Sequence, residues 1–420
     1  MTVTQAPFET GIYFQDDFSW VAPWADAYVD SKTGKPTGDS VGENNASAPA
    51  ANVYTHASHA GFLDKFAELG YEDLNAAGKS FYTQKYYLKF GKTDVHTGIK
   101  LPSIEFEGET ATDVLLTFDW SAHMTGSGNI DKMSLVVELE GEGTFLNGTK
   151  LSDPIAHTQA KGELKWQNIK LILKGVNNTT RISIKPVDML DNTVDQKRWH
   201  LDNVKVSKIK TEAVATWDLS EANMSTYVDL FGGTDPGTLS KEAGDGGLYI
   251  PSTDAKSKLT YVQVDKTTID TGNKAARVVG GTGEPYVTGA WTGDYWLFDV
   301  NANIAKGEII KANFVSRASG TGAKYWVVEY FNGAEWVPAM PTTAVEVEGA
   351  TLNYHIAHNN TDNFPVEFYV TSPADITKFQ VRVTALSPYQ AKNAASPKAP
   401  NGGTIRLKGG DLSPVFSVVK

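Results

Sequence analysis

The stretch VLLTFDWSA, residues 114–122, decides how this chain is read. Val114, Leu116, Phe118 and Trp120 share one parity, and Thr117 and Asp119 share the other. Side chains along a strand point alternately to its two faces, so this pattern describes a strand with one apolar and one wet side. MSLVVELEGEG (133–143) repeats it, with Met133, Leu135, Val137 and Leu139 inward and Ser134, Glu138 and Glu140 outward. NIKLILKGV (168–176) does the same, burying Ile169, Leu171 and Leu173 and exposing Lys170 and Lys174. Such strands belong to antiparallel sheets with one solvated face. Asn147-Gly148 and Asn332-Gly333 sit beside runs of this kind and fit hairpin turns. One helix is expected, in HAGFLDKFAELGYEDLNAAG (59–78), where Phe62, Phe66 and Leu69 recur at helical spacing and Gly70 is the stop. Many short strands, frequent turns and little helix predict an all-β fold of two tandem jelly-roll β-sandwiches, with one short helix in the first.

A chain of 420 residues is long enough for two or three cores. The alternation ends near Val206, within KVSKIKTEAVATW, and a new segment opens at Trp217. This predicts domains at 1–210 and 211–420. Each half closes on an Arg-led strand, RWHLDNVKV and then TIRLKGGDLSPVFSVV. Each also opens on a loop-rich stretch, about 20–60 and 218–258, and long loops on a rigid sandwich often carry function.

The net charge of −11 repels phosphate backbones, and no basic stripe overrides it, so nucleic acid is excluded as a partner. The absence of Cys removes disulfides, thiolate nucleophiles and Cys-based zinc sites. No run approaches the ~18 apolar residues of a membrane span. MTVTQAPFETG has neither the basic nor the apolar region of a signal peptide. The chain is therefore cytosolic or the trimmed form of an exported protein, and its polar, tether-like start favours the second.

In RWHLDNVKV, Trp199 and Leu201 share one parity and Val204 and Val206 the other. The slip at Asp202-Asn203 predicts a β-bulge, with Asp202 accepting backbone N–H bonds. The stretch resembles the closing strand of carbohydrate-binding-type jelly rolls, which reads aromatic-x-Leu/Ile-Asp-Asn/Asp-Val/Ile. That resemblance implies a structural calcium on Asp202, with Asp16 and Asp17 of FQDDFSW as partners. Three carboxylates with carbonyls could supply the oxygen shell calcium takes. The second half departs from the motif, because Asp411 in LKGGDLSPV has a different setting.

FQDDFSW, YYLKFGK, LLTFDW and RWHLDNVKV together resemble the jelly-roll modules of Bacteroidetes cell-surface proteins. GAWTGDYWLF (289–298) and KYWVVEYFNGAEWVPAM (324–340) are similar to a second module of that kind. The resemblance implies a lipid-anchored or secreted protein at the bacterial cell surface. Its role there would be non-catalytic capture of polysaccharide beside an outer-membrane glycan transporter complex.

The residues themselves suggest where a glycan would bind. In DYWLFDV, Trp296, Phe298 and Val300 form the core parity, with Tyr295 on the other and Trp291 in a Gly-flanked loop before it. With Asn332-Gly333 as a two-residue turn, Glu329 lies opposite Trp336. Tyr325, Glu329 and Trp336 then share one face, while Trp326, Val328 and Tyr330 share the other. An aromatic ring beside a carboxylate offers a flat surface to sugar C–H groups and an acceptor to hydroxyls. Trp336, Tyr325, Glu329, Trp291 and Tyr295 are the expected glycan-binding set. The competing reading is ordinary sandwich packing, since aromatics on strands are usually core.

Other motifs carry less. WVAPWADAY spaces Trp20, Trp24 and Tyr28 by four, but Pro23 favours a loop and core covering. Glu138, Glu140 and Glu142 resemble the carboxylate trio of laminarinase-like β-sandwich glycosidases, with Glu140 departing from the family's central Asp. The wet face of a strand is also where glutamates ordinarily go. His56/His59 and His355/His358 form H-x-x-H pairs without a third ligand pattern. No nucleophile elbow, P-loop or dinucleotide fingerprint occurs, and VGGTGEP (279–285) reads as a turn. A non-enzymatic binder is expected. The alternatives are an adhesin that binds other proteins and a β-sandwich glycoside hydrolase.

Overall fold

The structure is a computed structural model. It describes residues 11–29, 50–106, 110–187, 189, 197–219, 250–262, 295–318, 320, 322–347, 350–359, 361–386, 390–391, 405–407 and 412–420. The chain forms two compact units, Met1–Ile209 and Lys210–Lys420. Among the described residues each is an antiparallel sandwich of a seven-stranded and a five-stranded sheet, and the second adds a two-stranded ribbon. Long strands that follow one another in sequence pass from one sheet to the other, as in a jelly roll.

In the first unit the strand Thr112–Ala122 lies in the larger sheet between the edge strand Gln167–Val176 and Trp199–Lys208. Val114, Leu116, Phe118 and Trp120 are fully buried. They meet Leu135, Val137, Ile182 and Ile184 of the smaller sheet in one core. The Asp202-Asn203 slip is a bulge: pairing with Thr112–Ala122 shifts between Asp202 and Lys205, and Asn203 sits at φ 50. Asp202 accepts the Asn203 backbone N–H at 2.7 Å, which holds the extra residue.

Among the described residues two short α-helices occur, both in the first unit, where one was expected. Phe62–Glu68 is the predicted helix, shorter than its candidate stretch, and it buries Phe62 and Phe66. Gly70 follows at φ 87, a left-handed position that suits glycine, and ends it. The second helix, Ala22–Ala27, corrects the loop reading of WVAPWADAY. Pro23 lies in its first turn, where a missing N–H costs nothing. Trp20 stacks on Phe62 at 5.4 Å and Trp24 meets the same ring edge-on at 5.4 Å, so both tryptophans cover the core.

In the second unit Trp217, Trp296, Phe298, Phe314, Trp326, Phe379 and Phe416 fill the core. Its larger sheet runs from Ile250–Pro251 through Lys258–Val262, Tyr295–Ile304, Ile376–Ala385 and Tyr325–Phe331 to Trp336–Pro338. This order sets the strand Ile376–Ala385 between the two aromatic strands singled out in the sequence.

Candidate functional site

On Tyr295–Ile304 the alternation holds: Trp296, Phe298 and Val300 face the core, and Tyr295, Leu297 and Asp299 face outward. Arg382 lies opposite Leu297 on one side and Glu329 on the other. Its Nε donates to Glu329 Oε2 at 2.7 Å. Its guanidinium carbon lies 4.6 Å from the Trp336 ring centroid and 5.8 Å from that of Tyr295. Arg382 thus joins Trp336, Glu329 and Tyr295 into one cluster on the outer face of the sheet. Planar guanidinium groups stack on aromatic faces while keeping in-plane N–H groups for a carboxylate, which is what this arrangement uses. The cluster is half-buried, with the Glu329 side chain 16% and the Arg382 side chain 26% exposed.

The hairpin register differs from the expected one. Phe331, not Glu329, lies opposite Trp336, and Glu329 lies opposite Pro338. The turn has four residues because Asn332 Oδ1 accepts the N–H groups of Ala334 and Glu335, and Asn332 N–H donates to the Glu335 carbonyl. The slip is two residues, one full side-chain period, so Trp336 stays on the face of Glu329 and Tyr325. Tyr325 packs elsewhere on that face, 4.7 Å from Tyr354, with Lys324 Nζ 5.4 Å from its ring. Trp291 lies outside the described residues.

Two outward-facing side-chain atoms near the cluster, Thr384 Oγ1 and Asp299 Oδ1, are buried without a hydrogen-bond partner. The other carboxylate oxygen of Asp299 pairs with Lys378 Nζ at 2.7 Å. Buried polar groups are normally satisfied, so unmet ones beside a half-open aromatic cluster call for an explanation. Sequence reasoning missed Arg382, Thr384 and Phe331. ITKFQVRVTA alternates cleanly, which puts Lys378, Gln380, Arg382 and Thr384 on the wet parity. That signal marks a face and says nothing about which strand lies beside it.

The acidic set of the first unit is spent differently. Asp16 Oδ1 accepts the Phe18 N–H at 2.6 Å, and its Oδ2 accepts Trp20 Nε1–H and the Tyr71 hydroxyl. Asp17 Oδ1 accepts the Ser19 N–H. Burial pushes the Asp202 carboxyl up to about 7, against the Asn203 N–H bond and helped by the charges of Asp119, Asp17 and Asp16. Among the described residues no three His, Cys, Asp or Glu side chains are grouped to hold a metal ion.

The remaining candidates are tied into the fold. Glu138 pairs with Lys185 and Glu140 with Lys100, on the outward side of their strand. His59 Nε2 meets Thr83 Oγ1 at 2.6 Å, and burial lowers its pKa to about 4. His355 Nδ1 accepts the Val328 N–H and its Nε2 faces the Met340 carbonyl at 2.8 Å. His358 Nε2 lies 3.3 Å from Ser316 Oγ.

No protein-family model matches the chain, and no curated protein sequence matches it. Solved structures similar to it include a tandem of two family-22 carbohydrate-binding modules from Paenibacillus barcinonensis Xyn10C. That likeness has 13% identity and a TM-score of 0.23, and covers 88% of this chain and 96% of the other. The tandem family-51 modules of a Streptococcus pneumoniae family-98 glycoside hydrolase follow at 12% identity and TM-score 0.19, covering 80% and 85%. Allantoicase from Saccharomyces cerevisiae is similar at 12% identity and TM-score 0.17, covering 77% of each chain. Likenesses of this size carry no argument about a ligand.

Proposed function

We propose that this protein is a non-catalytic glycan-binding protein that takes polysaccharide on the outer face of its second sandwich. The observation that carries this reading is the clustering of Trp336, Tyr295 and Glu329 around Arg382. The half-exposed rings give sugar C–H faces an apolar surface, and the Arg382–Glu329 pair gives hydroxyl groups partners. Tyr325, and Trp291 from outside the described residues, extend the proposed set.

The cell-surface setting, lipid-anchored or secreted beside an outer-membrane glycan transporter complex, is proposed on the sequence resemblance alone. A structural calcium on Asp16, Asp17 and Asp202 is a separate proposal. The crowding of like charges around Asp202 supports it, and the engagement of both Asp16 oxygens weighs against it. Melting with calcium and with chelator tests it, because an ion bound only to the native state raises the transition.

A glycan array probed with the wild-type chain and with Trp336→Ala tests the main reading. Binding of a polysaccharide by the wild type and its loss in the variant are expected. Binding to proteins with no glycan bound would favour the adhesin reading. Release of reducing ends from a bound polysaccharide would make the chain a hydrolase.

A further inference from the structure

At the turn end of the Tyr325–Phe331 strand, around the sheet's edge from the Arg382 cluster, lies a cleft of about 220 Å³. Tyr330, Phe331, Asn332, Phe379 and Gln380 of this sheet and Val370 of the smaller one contribute to its lining, so it opens at the end of the sandwich, on the core side of Tyr330 and Phe379. Tyr330 and Phe379 are stacked there with ring centroids 6.0 Å apart. Phe331 belongs to both places: it lines the cleft, and its ring lies 5.6 Å from that of Trp336. The cleft is smaller than the ~300–1,000 Å³ pockets of drug-sized ligands and suits a single ring. It has aromatic walls and amide groups at Asn332 and Gln380, the combination that holds a polyhydroxylated ring.

Charge along this path is closed off. Arg382 is paired with Glu329 at 2.7 Å and Lys378 with Asp299 at 2.7 Å. The four charges sum to zero, and neither cation lacks a carboxylate. A carboxylate or sulfate on the ligand would have to compete with Glu329 or Asp299 for its cation, at the cost of leaving an acid uncompensated. The chain's net charge of −11 adds a general repulsion of polyanions. Hydroxyl groups face no such conflict, since they can join an existing ion pair as donor and acceptor.

We propose that this cleft seats one uncharged sugar ring of a chain that rounds Phe331 at the sheet's edge onto the outer face beside Trp336, so that the site selects neutral over acidic polysaccharides. The proposal rests on the glycan reading and adds a subsite and a substrate class to it.

The test uses the whole chain and two sets of probes: neutral glucans, mannans and xylans, and polyuronates with sulfated galactans. Affinities are measured at about 50 mM and about 500 mM NaCl, which spans strong and weak screening. Binding to a neutral glycan is expected, unchanged by salt within about twofold. Phe331→Ala and Gln380→Leu should each weaken that binding by about tenfold or more. Gln380→Leu keeps the side-chain bulk and guards against a mere packing defect, with unaltered melting as the control. A tightest ligand that is polyanionic, with affinity falling steeply with salt, would overturn the neutral-glycan inference and leave the glycan reading standing. Neutral binding that ignores both variants would overturn the cleft as a subsite and leave the Trp336 platform. No glycan binding at all would overturn both.

Discussion

The two seven-stranded sheets invite comparison, because each carries a cation among aromatic rings on its outer face. In the first unit Lys89 lies opposite His200 and Tyr82, with its Nζ 5.2 Å from the Tyr82 ring. Tyr87 meets Trp166 edge-on at 5.4 Å and lies 6.1 Å from the His200 ring. In the second unit Arg382 holds the corresponding role between Trp336 and Tyr295. The surroundings differ. Gln159 bonds its side-chain amide to both backbone groups of Ala122, and Tyr87, Ser121, His123 and His200 are at most 1% exposed. Asp131, the nearby acid, is committed to Arg198. Burial, with Arg198 nearby, lowers the Lys89 pKa to about 8. Arg382 instead has its own carboxylate and half-exposed rings. A cation beside aromatics is therefore no signature of a ligand surface by itself. What covers the face, and whether the charge is compensated, decides between second core and platform.

The largest expected effects separate these two faces. Tyr87→Ala should destabilise the first unit by about 3–5 kcal/mol, as large aromatic truncations in cores do, and leave glycan binding intact. Trp336→Ala should abolish array binding and move its transition by no more than about 2 °C. Trp296→Ala, on the core face of the same sheet, should unfold the second unit early by about 3–5 kcal/mol. If Trp336→Ala matches Trp296→Ala in calorimetry, the outer face is core and the contrast fails.

Charge deletion comes next. Lys89→Met should raise the first unit's melting temperature, since it replaces an incompletely compensated cation with an apolar chain of similar length. Arg382→Met should lower the second unit's stability by about 1–3 kcal/mol, between exposed and buried pairs, because it strands Glu329. Opposite signs in thermal melts sharpen the comparison; equal signs would break it.

The smallest effect is in pH. Burial lowers the His358 pKa to about 4, so the unfolded chain binds the proton first, and stability is lost as pH falls from about 6.5 to 4. Asp202 is raised to about 7, so the native state holds the proton longer, and stability is lost as pH rises from about 4 through 7. His358→Gln should flatten the acid limb of the second unit. Asp202→Asn should raise the first transition at pH 8 and hardly at pH 4. Denaturant melts across this range check both.

Much of the local structure was legible. The bulge at Asp202-Asn203 showed as a break in parity, because an extra residue must reverse the alternation after it. The helix at Phe62–Glu68 showed through its spacing and Gly70. The helix at Ala22–Ala27 was misread, because proline is excluded from helix interiors but favoured in the first turn. The four-residue turn at Asn332 was misread because an Asn side chain can extend a loop that Asn-Gly would otherwise close. The face assignment survived because the error equalled one side-chain period.

By itself, the sequence determined which side of each strand is apolar. That was enough to separate Trp296 and Phe298 from Tyr295, and Trp326 and Val328 from Trp336 and Glu329, because side-chain alternation is local geometry. Only the tertiary structure decided what each wet face becomes. Arg382 meets Glu329 across 53 residues of sequence, through a sheet order that no local pattern encodes. The outer face of the first sheet is closed by a segment that pairs with it through Gln159. Adjacency and covering arise from packing of whole strands, and they set the burial and charge compensation that separate a platform from a core.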